Sequence, residues 1–348
     1  MFGSYLSLSN GITSDEYHEQ LNWNINFSAI QSFLNTGKYQ ELLNYGDKYH
    51  GIAFHYISQP IQILLSNFIS NLNDLTTLGG HLISKHFVVF LTFFTSGIFF
   101  YLLAQKLTND VIFSCISTML YLLYPYLFGH AQFNPKDIPF LSFWIINTFL
   151  FIKIIENLYH GGNLKINKLI ILSFLTAFLI SIRVVGLIIL LQYFIGIIVL
   201  INVKEINFKN FIKNNLLHFI IFIFSLLVFI YFLNPIFWHN PYELINSINW
   251  MSKYFNDICT LTLGKCMRSL NLPSSYYFIW LFFKLPIIAL IGLSLFPFVE
   301  KKIFNKKENK LIIGSLTITA ITTALLFVIL KINLYDELRQ ILFLFPII

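Results

Sequence analysis

Charged residues are scarce in this chain of 348 residues: Asp, Glu, Lys and Arg make up 11% of it, against roughly 25% in a soluble domain. Hydrophobic residues make up 56%, and the mean hydropathy is +0.70. Because the apolar stretches are continuous instead of alternating with polar residues, they predict spanning helices and not barrel strands. The composition therefore predicts an all-α integral membrane protein.

Cysteines and metal-binding motifs are also sparse. Three cysteines are too few for a disulfide scaffold, and neither a CxxC nor an HExxH spacing occurs. We expect Cys115, which lies in an apolar run, to be a small core residue. Cys259 and Cys266 share a loop, where they could form one disulfide or remain two thiols. The net charge of +7 is not gathered into a basic stripe with interleaved aromatic residues, so nucleic acid is not an expected partner.

Long apolar runs are present from residue 86 onward. A bilayer core of about 30 Å needs roughly 20 helical residues, and most of the runs fit that length. They predict a polytopic helical bundle of about eight spans plus a partial one. The runs cover residues 86–106, 111–128, 138–156, 168–182, 184–201, 213–234, 276–298 and 311–330, with a partial run at 340–348.

Lysine placement orients these predicted spans. Lysines mark the connection at 299–311 as cytoplasmic, and lysines on both flanks of 168–201 make that stretch a hairpin with Arg183 at its tip. Since an outer first loop normally follows a spanning helix, and since the chain stops within an apolar run, we expect a fragment at both ends. Alternation puts the other loops outside, at 1–85, 129–137, 235–275 and 331–339.

Two domains follow from this arrangement. Residues 1–85 are expected to form the first extracytoplasmic loop, in which 26–36 and 57–69 predict amphipathic helices lying along the membrane interface. Residues 86–348 are expected to form the transmembrane helical domain. Its outer loop at 235–275 is rich in aromatic residues and suits an interfacial cap.

The densest acidic cluster lies near the N-terminus, at Asp15, Glu16 and Glu19, with His18 between them. Two adjacent carboxylates cannot both be desolvated cheaply, so one of the pair Asp15-Glu16 can serve as a general base. Asp15, Glu16 and His18 could instead bind a divalent metal ion. A third interpretation is an exposed helix N-terminus, with Ser14 or Asp15 as the cap.

A polar turn between two apolar runs carries the adjacent pair Lys136-Asp137. Asp137 can serve as the N-cap of the following helix, with Pro139 in its first turn. Lys136 is not explained in this way, because the helix dipole opposes a cation at a helix N-terminus. A phosphate held by Lys136 and the free helix N–H groups would account for the pair.

Further costly charges lie in or next to apolar runs. Arg183 and Lys284 either snorkel to lipid headgroups or face a ligand. The group at 336–339 either forms a simple interfacial ion pair or belongs to a site. Together with Lys136 they suit a phosphate-bearing lipid donor and a hydroxyl acceptor on one membrane face; a hydrolase or a transporter fits them less specifically. These residues are Arg183, Lys284, Asp336, Glu337 and Arg339.

The segment His130-Ala-Gln-Phe-Asn-Pro-Lys-Asp-Ile-Pro-Phe140 resembles the NPKDIPF signature of bacterial GT-C membrane glycosyltransferases related to dolichyl-phosphate-mannose–protein mannosyltransferases. The chain departs from the expected pattern at Gln132 and Gln340. Supporting similarities run in order through most of residues 12–346: Asp15-Glu16, Ile180–Gly186, Leu263–Pro273, Tyr276-Tyr277, Leu285-Pro286 and Leu334–Arg339.

This resemblance implies an inverting sugar transfer from a polyprenyl-phosphate donor to a hydroxyl of a protein, lipid or glycan acceptor. The site would face the periplasm from the bacterial inner membrane, and dependence on a divalent metal ion is left open. Asp15 would be the general base, with Glu16 supporting it. The lipid phosphate would be held by Lys136, Arg183, Arg339 and Lys284. Supporting residues would be Asn134, Asp137, Tyr335, Asp336 and Glu337.

Two other functions remain as alternatives: a transporter or flippase of lipid-linked sugars, and a non-catalytic assembly subunit. A transporter should place its ionisable groups near mid-membrane, on broken helices and often within repeats. The candidate residues here gather at one predicted face instead, and the sequence shows no internal repeat. An assembly subunit would be favoured if the missing first span were native.

Overall fold

The computed structural model describes residues 2–38, 40–73, 75–253, 257–303, 307–330 and 337–347, and it is about 80% helical. Five helices within these ranges are long and apolar enough to cross a membrane, or up to seven if each of two bent pairs counts as one span. The prediction of an all-α, multi-pass membrane protein is therefore confirmed. The finer prediction of eight spans stays a prediction.

The helices follow one another through the whole described chain. They are α1 Phe2–Leu8, α2 Ser14–Thr36, α3 Gln40–Asn44, α4 Ala53–Asn73, α5 Thr77–Thr108, α6 Val111–Leu123, α7 Pro125–Ala131, α8 Asp137–Tyr159, α9 Ile166–Ile182, α10 Ile188–Lys204, α11 Phe208–Leu233, α12 Ile236–His239, α13 Glu243–Lys253, α14 Ser275–Lys284, α15 Ile287–Ile303 and α16 Lys307–Ile329.

A small antiparallel hairpin interrupts the helical pattern within the 235–275 segment. Its strands are β1, Cys259–Thr262, and β2, Lys265–Arg268, which pair in register with Thr262 opposite Lys265. Cys259 and Cys266 form a disulfide across the hairpin, which decides between the two states that the sequence left open. Cys115 is exposed on α6, so the prediction that it is a core residue is wrong.

Helix α5 begins earlier than the apolar run at 86–106 and extends through 32 residues. Thr76 starts it by accepting a hydrogen bond from the Gly79 backbone N–H at 3.1 Å. Helix α4 packs against its first turns so closely that a Cβ on Gly80 would lie 2.7 Å from the Ser66 carbonyl oxygen. The boundary predicted at residue 85 therefore falls inside one continuous helix.

Two of the predicted spans are bent. Helices α6 and α7 meet at 60°, because Pro125 cannot continue the hydrogen-bonding of α6 and Tyr124 before it is extended. Helices α14 and α15 meet at 110° next to Pro286. The straight spans predicted at 111–128 and 276–298 are each a broken pair.

Helix α8 is the core of the bundle, with 89% of its apolar window buried. Asn147 lies in its middle, donates to the Leu175 carbonyl of α9 at 3.1 Å, and accepts from Thr176 of α9 and Tyr193 of α10. Thr176 and Tyr193 also hydrogen-bond to each other at 2.9 Å. Residues 168–201 are thus two helices joined near Arg183, as the sequence predicted, and both pack on α8.

The apolar run at 340–348, which the sequence predicted to be a partial span, does not form an α-helix in its described residues. Residues Arg339–Leu344 form a 3-10 helix whose apolar side chains are buried against α8. The Phe343 ring lies 4.3 Å from the Trp144 ring and 5.3 Å from the Phe140 ring, measured between centroids. This packing holds Arg339, the first residue of the 3-10 helix, at the N-terminal end of α8.

Candidate functional site

Four segments that are distant in sequence meet at the N-terminal end of α8. The Asp137 carboxylate accepts a hydrogen bond from Arg183 and another from the Nε atom of Arg339 at 2.7 Å. Arg339 also donates from Nη2 to Asp15 at the start of α2. A separate ion pair joins Lys136 to Glu19, with Nζ and Oε1 at 2.7 Å. We call Asp15, Glu19, Lys136, Asp137, Arg183 and Arg339 the charged cluster.

Asn134 holds Asp137 and Lys136 in place. Its Oδ1 atom accepts from the Asp137 backbone N–H at 2.9 Å and from the Lys136 backbone N–H at 3.2 Å. Its Nδ2 atom donates to the Asp137 carboxylate at 3.0 Å. Asn134 therefore performs the capping role that the sequence assigned to Asp137, and the Asp137 carboxylate is left to bind the two arginines.

The two arginines bind different oxygens of Asp137, Arg183 at Oδ1 and Arg339 at Oδ2. Arg183 follows the last turn of α9, in an extended backbone conformation that ends the helix. Arg339 is held by the buried 3-10 helix. Although burial lowers the pKa of Arg339, the carboxylates of Asp137 and Asp15 outweigh it and raise that pKa above its ordinary value. Arg339 is thus a fixed cation between two carboxylates.

Glu19 links the charged cluster to a buried polar chain. Its side chain is 9% exposed, and the His55 imidazole lies 4.0 Å away on its other side. His55 in turn contacts the ammonium of the fully buried Lys85 at 3.3 Å. Burial raises the pKa of Glu19, but Lys136, His55 and His50 outweigh this and hold it well below the usual range. Glu19 is therefore an ionised, buried carboxylate.

Glu16 does not share a site with its neighbour Asp15. It is fully buried, its Oε2 atom lies 2.6 Å from His86 Nε2, and its Oε1 atom accepts from the Thr13 backbone N–H at 2.8 Å. The N-cap of α2 is Thr13, not Ser14 or Asp15 as the sequence suggested. Glu16 therefore anchors α2 to α5, while Asp15 alone turns to the charged cluster.

The ligand set Asp15, Glu16 and His18 does not assemble, because the three side chains face different partners. His18 instead lies 3.4 Å from Asp47, which lies 3.5 Å from His50. Asp47 and His50 were not among the residues singled out from the sequence. They stand in a polar loop segment with no spacing motif, so only the packing of that loop against α2 reveals them.

Lys284 is set apart from the charged cluster by its own partners. Its ammonium lies 2.5 Å from Glu337 and 4.4 Å from the centroid of the Tyr126 ring. It stands at the end of α14, beside the 110° bend, and not deep within a straight span. Tyr335 and Asp336, which were predicted to support the site, lie outside the described residues.

Exposure within the charged cluster is uneven. The side chains of Asp137, Glu19, Lys136 and Arg183 are 5–16% exposed, and that of Arg339 is 23% exposed, whereas Asp15 is 47% exposed. The three cations are balanced by three carboxylates. The arrangement thus has one accessible carboxylate, that of Asp15, beside three cations. These cations can bind an anionic ligand if the ligand displaces one of the carboxylates with which they are paired.

Two buried ionisable residues, Lys85 and His86, were not singled out from the sequence, although their position next to an apolar run could have identified them. Lys85 and His86 are adjacent ionisable residues where the first long apolar run begins, within α5, and an ionisable side chain is costly there. Both are completely buried. Their partners, His55 and Glu16, could not be named without the packing of α2 and α4 on α5.

Comparisons with family models, curated proteins and solved structures found no match to this chain.

Proposed function

We propose that this protein is a membrane glycosyltransferase that moves a sugar, with inversion, from a polyprenyl-phosphate donor to a hydroxyl acceptor. The observation that carries the proposal is the position of Arg339 between Asp15 and Asp137. It puts an accessible carboxylate, suited to a general base, next to cations suited to a phosphate. The exposed apolar surfaces of α6, α11 and α16 are compatible with a bilayer and thus with a lipid substrate.

In the proposed reaction, the acceptor oxygen attacks the anomeric carbon from the face opposite the phosphate. Asp15 takes the proton of the acceptor hydroxyl as the new carbon–oxygen bond forms. The bond between the anomeric carbon and the phosphate oxygen breaks, and its electron pair leaves with the polyprenyl phosphate. Lys136, Arg183 and Arg339 stabilise the charge that develops on this leaving group.

The ion pairs of the charged cluster give this reaction an order. Arg339 binds Asp15 in the structure, so the carboxylate that would serve as base is held by a guanidinium. A donor phosphate that takes Arg339 releases Asp15 towards the acceptor. Asp137, which is buried and also bound to Arg183, stays as the anchor that keeps Arg339 in place. Donor binding would therefore precede activation of the base.

The proposed site faces the periplasm from the bacterial inner membrane. A position at a membrane surface is supported by the separation of about 28 Å along α8 between the charged cluster and the Lys106–Glu156 ion pair at the other end of that helix. Such a separation matches the hydrocarbon thickness of a bilayer. The charged cluster would thus lie at one membrane surface, where a lipid phosphate lies too.

Turnover of a radiolabelled polyprenyl-phosphate hexose by the purified protein in detergent tests the proposal. We expect label release by the wild-type protein and a loss of at least a hundredfold in Asp15→Asn, with donor binding retained. Asp110→Asn is the matched control, because Asp110 is an exposed carboxylate that caps α6 and Asn preserves that cap.

Wild-type turnover in Asp15→Asn would remove Asp15 from the role of base. Tight donor binding with no turnover by the wild-type protein, across a panel of hydroxyl acceptors, would overturn the transferase. It would favour a flippase of lipid-linked sugars or an assembly subunit.

A further inference from the structure

A group of ligating side chains next to the charged cluster has no part in the proposed transfer. His18, Asp47 and His50 each direct one ligating atom so that the three atoms lie within 4.8 Å of one another. From this geometry we propose that they bind a divalent cation of the zinc class. The proposal does not depend on the glycosyltransferase function, since it concerns binding alone.

The distances within the group suit ligands that share one metal ion. His18 Nε2 lies 3.4 Å from Asp47 Oδ2, and His50 Nδ1 lies 3.5 Å from Asp47 Oδ1. Both distances exceed the roughly 2.7–3.2 Å of well-formed hydrogen bonds. Two ligands that are each about 2.05 Å from a tetrahedral zinc ion lie about 3.3–3.4 Å apart. Each imidazole nitrogen thus already lies at about this spacing from one Asp47 oxygen, and binding of one ion requires side-chain rotations that bring all three ligating atoms, now within 4.8 Å of one another, to that spacing.

The backbone brings the ligands together before any cation binds. Asp47 and His50 belong to one turn, in which the His50 backbone N–H donates to the Asp47 carbonyl at 2.9 Å. His18 approaches from α2, and its ring meets the His50 ring edge-to-face at 5.7 Å. The indole ring of Trp250 packs edge-on against His50 from another direction at 5.8 Å. Two of the three ligands are thus preorganised by local structure.

The donor set selects the class of cation. Two imidazole nitrogens and one carboxylate oxygen are the ligands of zinc and its first-row neighbours, whereas magnesium and calcium prefer oxygen ligands alone. His18 is 43% exposed, in contrast to His50 at 7%. The site is therefore open on the His18 side, where a water molecule or an oxygen atom of a bound molecule can complete the coordination shell.

The position of the site relates it to the charged cluster. His18 follows Asp15 by three residues on α2, and such residues are neighbours on one helix face, about 5–6 Å apart between Cβ atoms. A cation held by His18 would thus lie about one helical turn from the accessible carboxylate. It would bring a further positive charge to a cluster that is balanced without it.

Zinc binding by the full chain tests the proposal. The protein, purified in detergent and stripped with chelator, is titrated with ZnSO₄ in a calorimeter, and the bound metal is counted after desalting. We expect about one equivalent of zinc, with affinity at least tenfold weaker in His18→Ala and in Asp47→Asn. His160→Ala is the matched control, because His160 also pairs with a carboxylate, Glu308, at 2.9 Å.

Co²⁺ substitution provides a second readout that needs no turnover. We expect visible absorption bands of a nitrogen and oxygen site in the wild-type protein and in His160→Ala, and their loss in Asp47→Asn. Thermal unfolding of each variant without metal verifies that it is folded. Zinc retained at full affinity by both His18→Ala and Asp47→Asn, or less than a fifth of an equivalent bound by the wild-type protein, would overturn the proposal.

Discussion

Arg339 hydrogen-bonds to Asp15 although the two residues are 324 positions apart in the chain. The contact closes the charged cluster between the first long helix and the last described segment. Because Arg339 also binds the buried Asp137, it cannot leave the charged cluster when Asp15 is released. One guanidinium thus joins the proposed base to the proposed phosphate site, and each of its two partners can be tested separately.

Removal of the buried carboxylate should destabilise the fold. Asp137→Ala leaves Arg183 and Arg339 facing each other without the anion between them, which costs about 3 kcal/mol. We expect the midpoint of thermal unfolding in detergent to fall by several degrees. The exposed Asp110, changed to Asn, should shift the midpoint by less than a degree. An unchanged midpoint in Asp137→Ala would contradict the structural importance of these ion pairs.

Arg339→Lys should impair donor binding although it keeps the positive charge. The planar guanidinium of Arg339 donates hydrogen bonds to Asp15 and Asp137 at the same time. A lysine ammonium is a point charge that lacks this forked geometry and cannot bind both carboxylates in the same way. We expect about tenfold weaker binding of the polyprenyl-phosphate donor, equivalent to about 1.4 kcal/mol. Arg268→Lys, at an exposed ion pair with Asp257, is the control and should bind as the wild type does. Equal affinities in both variants would count against a special role of Arg339.

Lys136→Met tests the phosphate-binding role of this cation. We expect donor affinity to fall by about tenfold, because a charge that would contact the phosphate is lost. Lys106→Met is the matched control, since Lys106 is also half-buried and paired with a glutamate, at the far end of α8. If both variants lost affinity equally, the effect of Lys136 would be one of general stability.

Glu19 should contribute to stability in a pH-dependent manner. Since its folded pKa lies well below the ordinary value of 4.5, the contribution is present above pH 4.5 and is lost as the pH falls through the folded pKa. The difference in unfolding midpoint between the wild type and Glu19→Gln should therefore be largest near pH 7 and shrink below pH 4.5. Glu41→Gln, at an exposed position on α3, should show no such trend. A constant difference across pH would contradict the prediction.

Gly51 holds the loop of Asp47 and His50 tightly against the end of α9. A Cβ at this position would lie 2.2 Å from the Ser181 carbonyl oxygen and 2.6 Å from that of Ile182. Gly51→Ala should thus cost about 1–3 kcal/mol by overpacking, and it should weaken zinc binding by displacing the loop. Gly46→Ala, where a Cβ meets nothing within 4 Å, is the control in thermal unfolding and in titration. Equal behaviour of both variants would contradict the tight packing.

The sequence predicted much of the charged cluster, because charges in an apolar chain are costly wherever they occur. Lys136, Asp137, Arg183 and Arg339 were all identified in this way, and the structure brings them to one place. Their partners could not be predicted, since Lys136 binds Glu19 while Lys284 binds Glu337. Such choices depend on how long helices pack, which no local pattern encodes.

The helical architecture was predictable to a similar degree. Continuous apolar runs identified the long helices, whereas their bends and starting points were missed. The prolines at both bends, Pro125 and Pro286, are visible in the sequence. Because the residues around each proline are uniformly hydrophobic, each run was nevertheless predicted to be one straight span. The early start of α5 was hidden because its first turns are polar and are buried by α4 rather than by lipid.

The length of helix α5 leads us to expect that the charged cluster responds to the thickness of the membrane. The helix is about 48 Å long, whereas its apolar part from residue 86 to 106 spans about 31 Å. Its first turns, residues 77–85, extend beyond that apolar part, and Glu16 is attached to α5 through His86, where the two parts meet. We expect a thinner bilayer to tilt such a helix, and the contact between His86 and Glu16 would then pass the tilt to α2 and to Asp15.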